Sequence, residues 1–183
     1  MSTPRAAAAA CFMSLALPLT ASAAAIHIYS YDPVSPAARA LTSTGLSFEF
    51  VRGLLGGVRV ERIVQTGDRG SAGLKPASEA DLGGGGLRAA LAKTEPVGPL
   101  YEILPNDAGE SFVHAVCPGA DRAWLLIGRL ERFKTLELQA VGRRTGEAGA
   151  HACASLEFSF HSEWRTPDQE VPTAQLFGAR GPG

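Results

Sequence analysis

Apolar residues in this chain gather into short blocks, and the densest one beyond the first twenty positions is 123–130, Ala-Trp-Leu-Leu-Ile-Gly-Arg-Leu. Pro118, Gly119 and Asp121 precede it, and Glu131 and Arg132 follow. A block of this length between such boundaries reads as a β-strand covered on both faces. Trp124, Ile127 and Leu130 also recur at helical spacing with Asp121 placed as a cap, so a buried helix is the rival. Gly128 favours the strand, because glycine costs about 1 kcal/mol relative to alanine inside a helix. A strand here places Trp124 and Leu126 in one layer and Leu125 and Ile127 in another.

Earlier segments are shorter but patterned. Over 26–31, Ile26 and Ile28 alternate with His27, Tyr29 and Tyr31, which predicts a first strand ended by Asp32-Pro33. Ser35 followed by Pro36 is a helix start, and the segment 36–41 is rich in good helix formers. Leu46, Phe48 and Phe50 alternate with Ser47 and Glu49, and Val58 and Val60 with Arg59 and Glu61, which predicts a hairpin across the glycines between them. The stretch 65–98 loses its period and collects Gly and Pro. So long a loop is unusual in a compact domain, and a short helix over 87–93 is expected within it.

From position 100 the pattern predicts five strands, over 100–104, 112–117, 123–130, 134–141 and 152–160, separated by turn residues. The fold class that follows is mainly β: an antiparallel sandwich or curled barrel built on a C-terminal meander, with one or two short helices. Composition adds boundaries to this picture. Arg5, an apolar run to Leu19 and small residues at Ala21 and Ala23 have the three-part form of a secretory signal peptide cleaved after Ala23. The run falls short of the roughly 20 apolar residues of a membrane span. Lipid attachment at Cys11 is a minor alternative, since the large apolar residues lie after it. Removing 23 residues from 183 leaves 160, enough for a single β-rich domain over 24–164, followed by a polar, Pro- and Gly-containing tail over 165–183 that is expected to be disordered.

The formal charge of −1, or −2 without Arg5, gives no reason to expect a polyanion partner, so nucleic-acid binding is not indicated. The expected location is periplasmic or extracellular, with no membrane span after cleavage. Two of the three cysteines, Cys117 and Cys153, fall in the mature region, and in an oxidising compartment they are expected to form a disulfide. If they end the second and begin the fifth strand of a flat meander, they lie about 14 Å apart, beyond disulfide reach. The bond therefore requires the sheet to curl or fold over.

Candidate chemistry is sparse. His114, Cys117, His151 and Cys153 form an alternative zinc or copper set, weakened because His114 and Cys117 point to opposite faces of a regular strand. Gly83 to Gly86 before a helical run suggests anion binding, but lacks the Lys-Ser/Thr ending of a phosphate loop. Ser71 lacks one glycine of a nucleophile elbow, since Arg69 takes that place. His27, Tyr29 and Tyr31 share one strand face, a candidate surface for a sugar or peptide, unless that face is simply packed. No cofactor is implied. The expected function is a non-enzymatic binding or envelope-associated domain whose partner is a small molecule, glycan or envelope protein. The alternatives are a secreted hydrolase with its site on loops between 65 and 98, or a metal-binding protein.

Overall fold

A computed structural model describes residues 25–53, 55–65, 70–92, 94–106 and 108–165. The expected leader over 1–23 and the expected tail, except Arg165, lie outside the described residues. The described residues form eight antiparallel strands in sequence order, β1 (Ile26–Pro33), β2 (Leu46–Arg52), β3 (Val58–Gln65), β4 (Ser71–Pro76), β5 (Leu100–Ile103), β6 (Arg122–Ile127), β7 (Thr135–Arg143) and β8 (His151–Arg165). β8 pairs with β1 and closes a barrel, the curled alternative of the two architectures read from the sequence. The apolar alternation of the strands faces inward. Tyr29, Tyr31, Phe48, Phe50, Ile63, Leu125, Leu138 and Phe158 fill the interior, each at most 2 % exposed.

Among the described residues three α-helices interrupt the strands. α1 (Pro36–Leu41) spans the segment expected from Ser35 and Pro36; the Ser35 hydroxyl accepts the Ala38 N–H at 3.2 Å and ties the same loop to β8 by accepting the Glu157 N–H. α2 (Gly86–Ala90) lies where a helix over 87–93 was expected, though it ends sooner. α3 (Gly109–Val116) corrects the sequence reading, because 112–117 is not a strand. Phe112, Val113 and Val116 lie on one helical face and close the barrel end where β3 turns into β4 and β7 into β8.

β6 is covered on both sides, as its composition demands. Ala123, Leu125 and Ile127 belong to the barrel interior, while Trp124 and Leu126 pack outside with Leu82, Ala90, Leu91, Leu100 and Val141. That outer layer comes from the β4–β5 connection, expected to be largely irregular except for its helix. It runs down the outside of the barrel to the β7–β8 turn, where Gly84 N–H bonds Ala148 O at 2.7 Å and Gly83 bridges Gly149. Here the glycine run has a packing role. A Cβ on Gly83 would meet Ala148 O at 2.4 Å, and Gly83, Gly85 and Gly86 all have positive φ. Buried Gln139 pins the returning limb: its side-chain amide donates to Glu95 O and accepts the Val97 N–H.

Cys117 and Cys153 are bonded, with Cα atoms 5.0 Å apart. Closure of the barrel is only half of the reason. Cys117 caps the end of α3 rather than ending a strand, and helix and disulfide together cross the barrel end to the start of β8. Gly142 on β7 makes room, since a Cβ there would overlap the Cys117 sulfur.

Candidate binding site at the barrel mouth

With α3 over one end, the other end carries the start of β1, the β2–β3 turn, the β6–β7 loop and the end of β8. A cavity of about 480 Å³ opens there, with an apolar wall of Val58, Val60, Val97, Pro99, Ile127 and Leu130. A second, shallower depression beside it is polar, lined by His27, Tyr29, Arg132, Glu163 and Arg165. Arg52, Leu130 and Glu131 border both.

Arg52 is the last residue of β2, and the pairing of β2 with β1 sets it beside Tyr29. Its Nη2 donates to the Tyr29 hydroxyl at 3.1 Å, and its guanidinium lies 5.4 Å from the Phe50 ring centroid. Among the described residues it has no carboxylate within 4 Å. Arg132 differs. It pairs with Glu163, which also accepts from Arg165 Nε at 3.3 Å. Partial burial of Glu163 works to raise its pKa, but the hydrogen bonds and charges of Arg132 and Arg165 outweigh it and hold the carboxyl below its ordinary range.

The strand face expected to offer His27, Tyr29 and Tyr31 points into the barrel, so these residues meet different surroundings. Tyr31 is buried at 1 %, its hydroxyl directed to the Glu131 carbonyl at 3.5 Å, and burial followed by the nearby Tyr29 and Glu131 pushes its pKa up. Tyr29 is equally buried but borders the mouth through its hydroxyl. His27 stacks on Phe50 with centroids 5.4 Å apart, and its Nδ1, buried without a hydrogen bond, faces Glu163 at 3.7 Å. Sequence pattern alone did not single out Arg52, Arg132 or Glu163. Arg52 ends β2 and Arg132 lies in a loop, where alternation carries no signal about what the fold brings together, and Glu163 follows an irregularity in the β1–β8 register that shifts the alternation of β8.

Of the alternative metal set, Cys117, His151 and Cys153 converge, with ligand atoms within 4.8 Å, while His114 is exposed on α3 and lies apart. The disulfide engages both sulfurs, and a thiolate is what a zinc or copper ion would need. Ser71 is the first residue of β4, whose strand partners are β3 and β5, whereas the exposed histidine–carboxylate pair His161–Asp32, 2.9 Å apart, joins β8 to β1. Comparison of the chain with protein-family models, curated proteins and solved structures gives no match.

Proposed function

We propose that this chain is an exported, non-enzymatic binding protein that takes a small amphipathic anion at the barrel mouth. The observation that carries the reading is Arg52. A guanidinium held by a tyrosine hydroxyl and an aromatic face, without a carboxylate partner among the described residues, stands at the lip of an apolar cavity. Such a group offers a planar pair of donors to a carboxylate, sulfonate or phosphate, while Val58, Val60 and Ile127 receive the ligand's apolar part. The cavity volume falls in the ordinary range for small-molecule sites.

Export is supported by the signal-peptide pattern and by the disulfide, which persists in oxidising compartments. The hydrolase alternative, expected on the loops between 65 and 98, draws less support, because the depression there sets Thr94 beside Glu79, Arg88 and Glu95 with no histidine, lysine or cysteine lining it among the described residues. Metal binding would require the disulfide to open.

Dodecanoate and its uncharged alcohol, dodecanol, test the proposal by calorimetric titration. Dodecanoate is expected to bind saturably and more tightly than the alcohol, and Arg52→Gln to weaken it about tenfold, the loss of one charge-assisted pair. Equal affinity for acid and alcohol, or an unaffected Arg52→Gln, would overturn it.

A further inference from the structure

The large apolar side chains exposed among the described residues are Ile26, Val34, Leu55, Phe133 and Trp164. All but Val34 belong to the mouth end. Ile26 opens β1, Leu55 sits in the β2–β3 turn, Phe133 lies in the β6–β7 loop, and Trp164 is next to last in β8. Scattered exposed apolar residues are ordinary, but their collection at one end of a barrel is not.

Phe133 breaks two rules together. It is 85 % exposed, and its backbone is left-handed at φ +60, a conformation rare for a bulky residue. Only one side of its ring has a described aromatic neighbour, Phe160, with centroids 5.3 Å apart. Between these apolar tips stand four arginines, Arg52, Arg129, Arg132 and Arg165, against two carboxylates, Glu131 and Glu163. Arg129 approaches Glu131 at 3.9 Å, and Arg132 and Arg165 hold Glu163, so the excess of positive charge is a property of the whole rim.

We propose that this end of the barrel docks on an anionic lipid bilayer, inserting Phe133, Trp164 and Leu55 at headgroup depth. The apolar side chains come from separate elements around the rim, Leu55 and Phe133 from loops and Trp164 from β8, and arginines share that rim. A protein partner needs a continuous complementary patch, whereas a bilayer accepts separate anchors wherever they touch it. An indole suits the interface because it has an apolar body and a polar N–H, and arginines add attraction to anionic headgroups. No helix among the described residues is long and apolar enough to cross a membrane, and shallow insertion of exposed side chains does not need one.

The test uses the purified protein without added ligand, its amino terminus fixed by mass and identical in every variant. Vesicles of equal parts phosphatidylglycerol and phosphatidylcholine are compared with phosphatidylcholine alone by flotation and tryptophan emission. Trp124 is fully buried, so a blue shift on the anionic vesicles reports Trp164. Association is expected on the anionic vesicles, falling as salt is added. Phe133→Ser with Trp164→Ser should lower the partition coefficient at least about tenfold. Arg129→Gln should lower it about fivefold on anionic vesicles, the worth of one basic residue near such a surface, and leave binding to phosphatidylcholine alone unchanged. These exposed positions should leave thermal unfolding unaltered, which separates lost docking from lost folding. Two results would overturn the proposal: wild-type protein that stays off anionic vesicles with unshifted emission, or a dimer in sedimentation that the Phe133→Ser, Trp164→Ser variant dissolves, which would make a second copy the occupant. Because Arg52 is untouched and no ligand is present, either failure leaves the anion-binding reading standing.

Discussion

Opening the Cys117–Cys153 bond should cost this barrel a large part of its stability. The bond links positions 36 apart in sequence, enclosing β6, β7 and the turns around them. Closing such a loop in the unfolded chain removes about 13 cal/mol/K of entropy, or about 4 kcal/mol at room temperature. Reduction of the wild-type protein removes that constraint while leaving both sulfurs in place. The double variant Cys117→Ala, Cys153→Ala removes the sulfurs as well, and because Cys117 is 1 % exposed against Gly142 it should add about 1 kcal/mol for the space left behind. With a urea slope of about 2 kcal/mol per molar, the midpoint of the reduced protein should fall by about 2 M, and that of the double variant somewhat further. Urea melts of oxidised, reduced and variant protein, with the thiol state checked by mass, measure all three. A shift on reduction below about 0.5 M would mean that α3 and β8 are held together without the bond.

Two further outcomes follow from the packing and the charges. Leu126→Ala should destabilise the protein by about 3 kcal/mol, as much as Leu125→Ala, because the outer face of β6 is as fully covered as the inner one; chemical denaturation of both variants checks this, and a loss under about 1 kcal/mol at Leu126 would mean the β4–β5 connection does not seal that face. Glu163 has its pKa depressed from 4.5, so its pairing with Arg132 and Arg165 contributes stability above that value and loses it as pH falls through the lower folded-state value; a carboxyl chemical-shift titration should place its midpoint below those of exposed glutamates, and a midpoint at or above theirs would contradict the pairing.

Much of the barrel was legible because its strands alternate. Phe48 and Phe50, or Leu156 and Phe158, each carry the period-2 signal of a sheet with one buried face, and β6 announces two buried faces by its unbroken apolar run from Ala123 to Ile127. α3 was misread for a physical reason. Phe112 and Val113, then Val116 and Cys117, repeat at the four-residue spacing of a helix, but so short a segment rich in β-branched and aromatic residues also suits a strand. β4 went unread because Ala72 and Leu74 alone carry its alternation. The mouth was harder still. Alternation placed Tyr29 and Tyr31 on one face of β1 but could not say whether that face looks into the barrel, and the meeting of Arg52 with Tyr29 depends on the register of β1 against β2.

The pairing of β1 with β8 has a consequence in time. A chain is made from its amino terminus, so β1 and β2 are available to each other early, while the other edge of β1 waits for the last strand, from His27 opposite Arg165 to Pro33 opposite Phe158. At ordinary rates of synthesis that wait is on the order of ten seconds. Throughout it, one edge of the first hairpin presents unpaired backbone groups to any other strand nearby. A chain cut short within β8 would keep most of its apolar residues and still never bury that edge. Its fate would be association with other chains, and its full-length counterpart escapes that fate only when the final strand arrives.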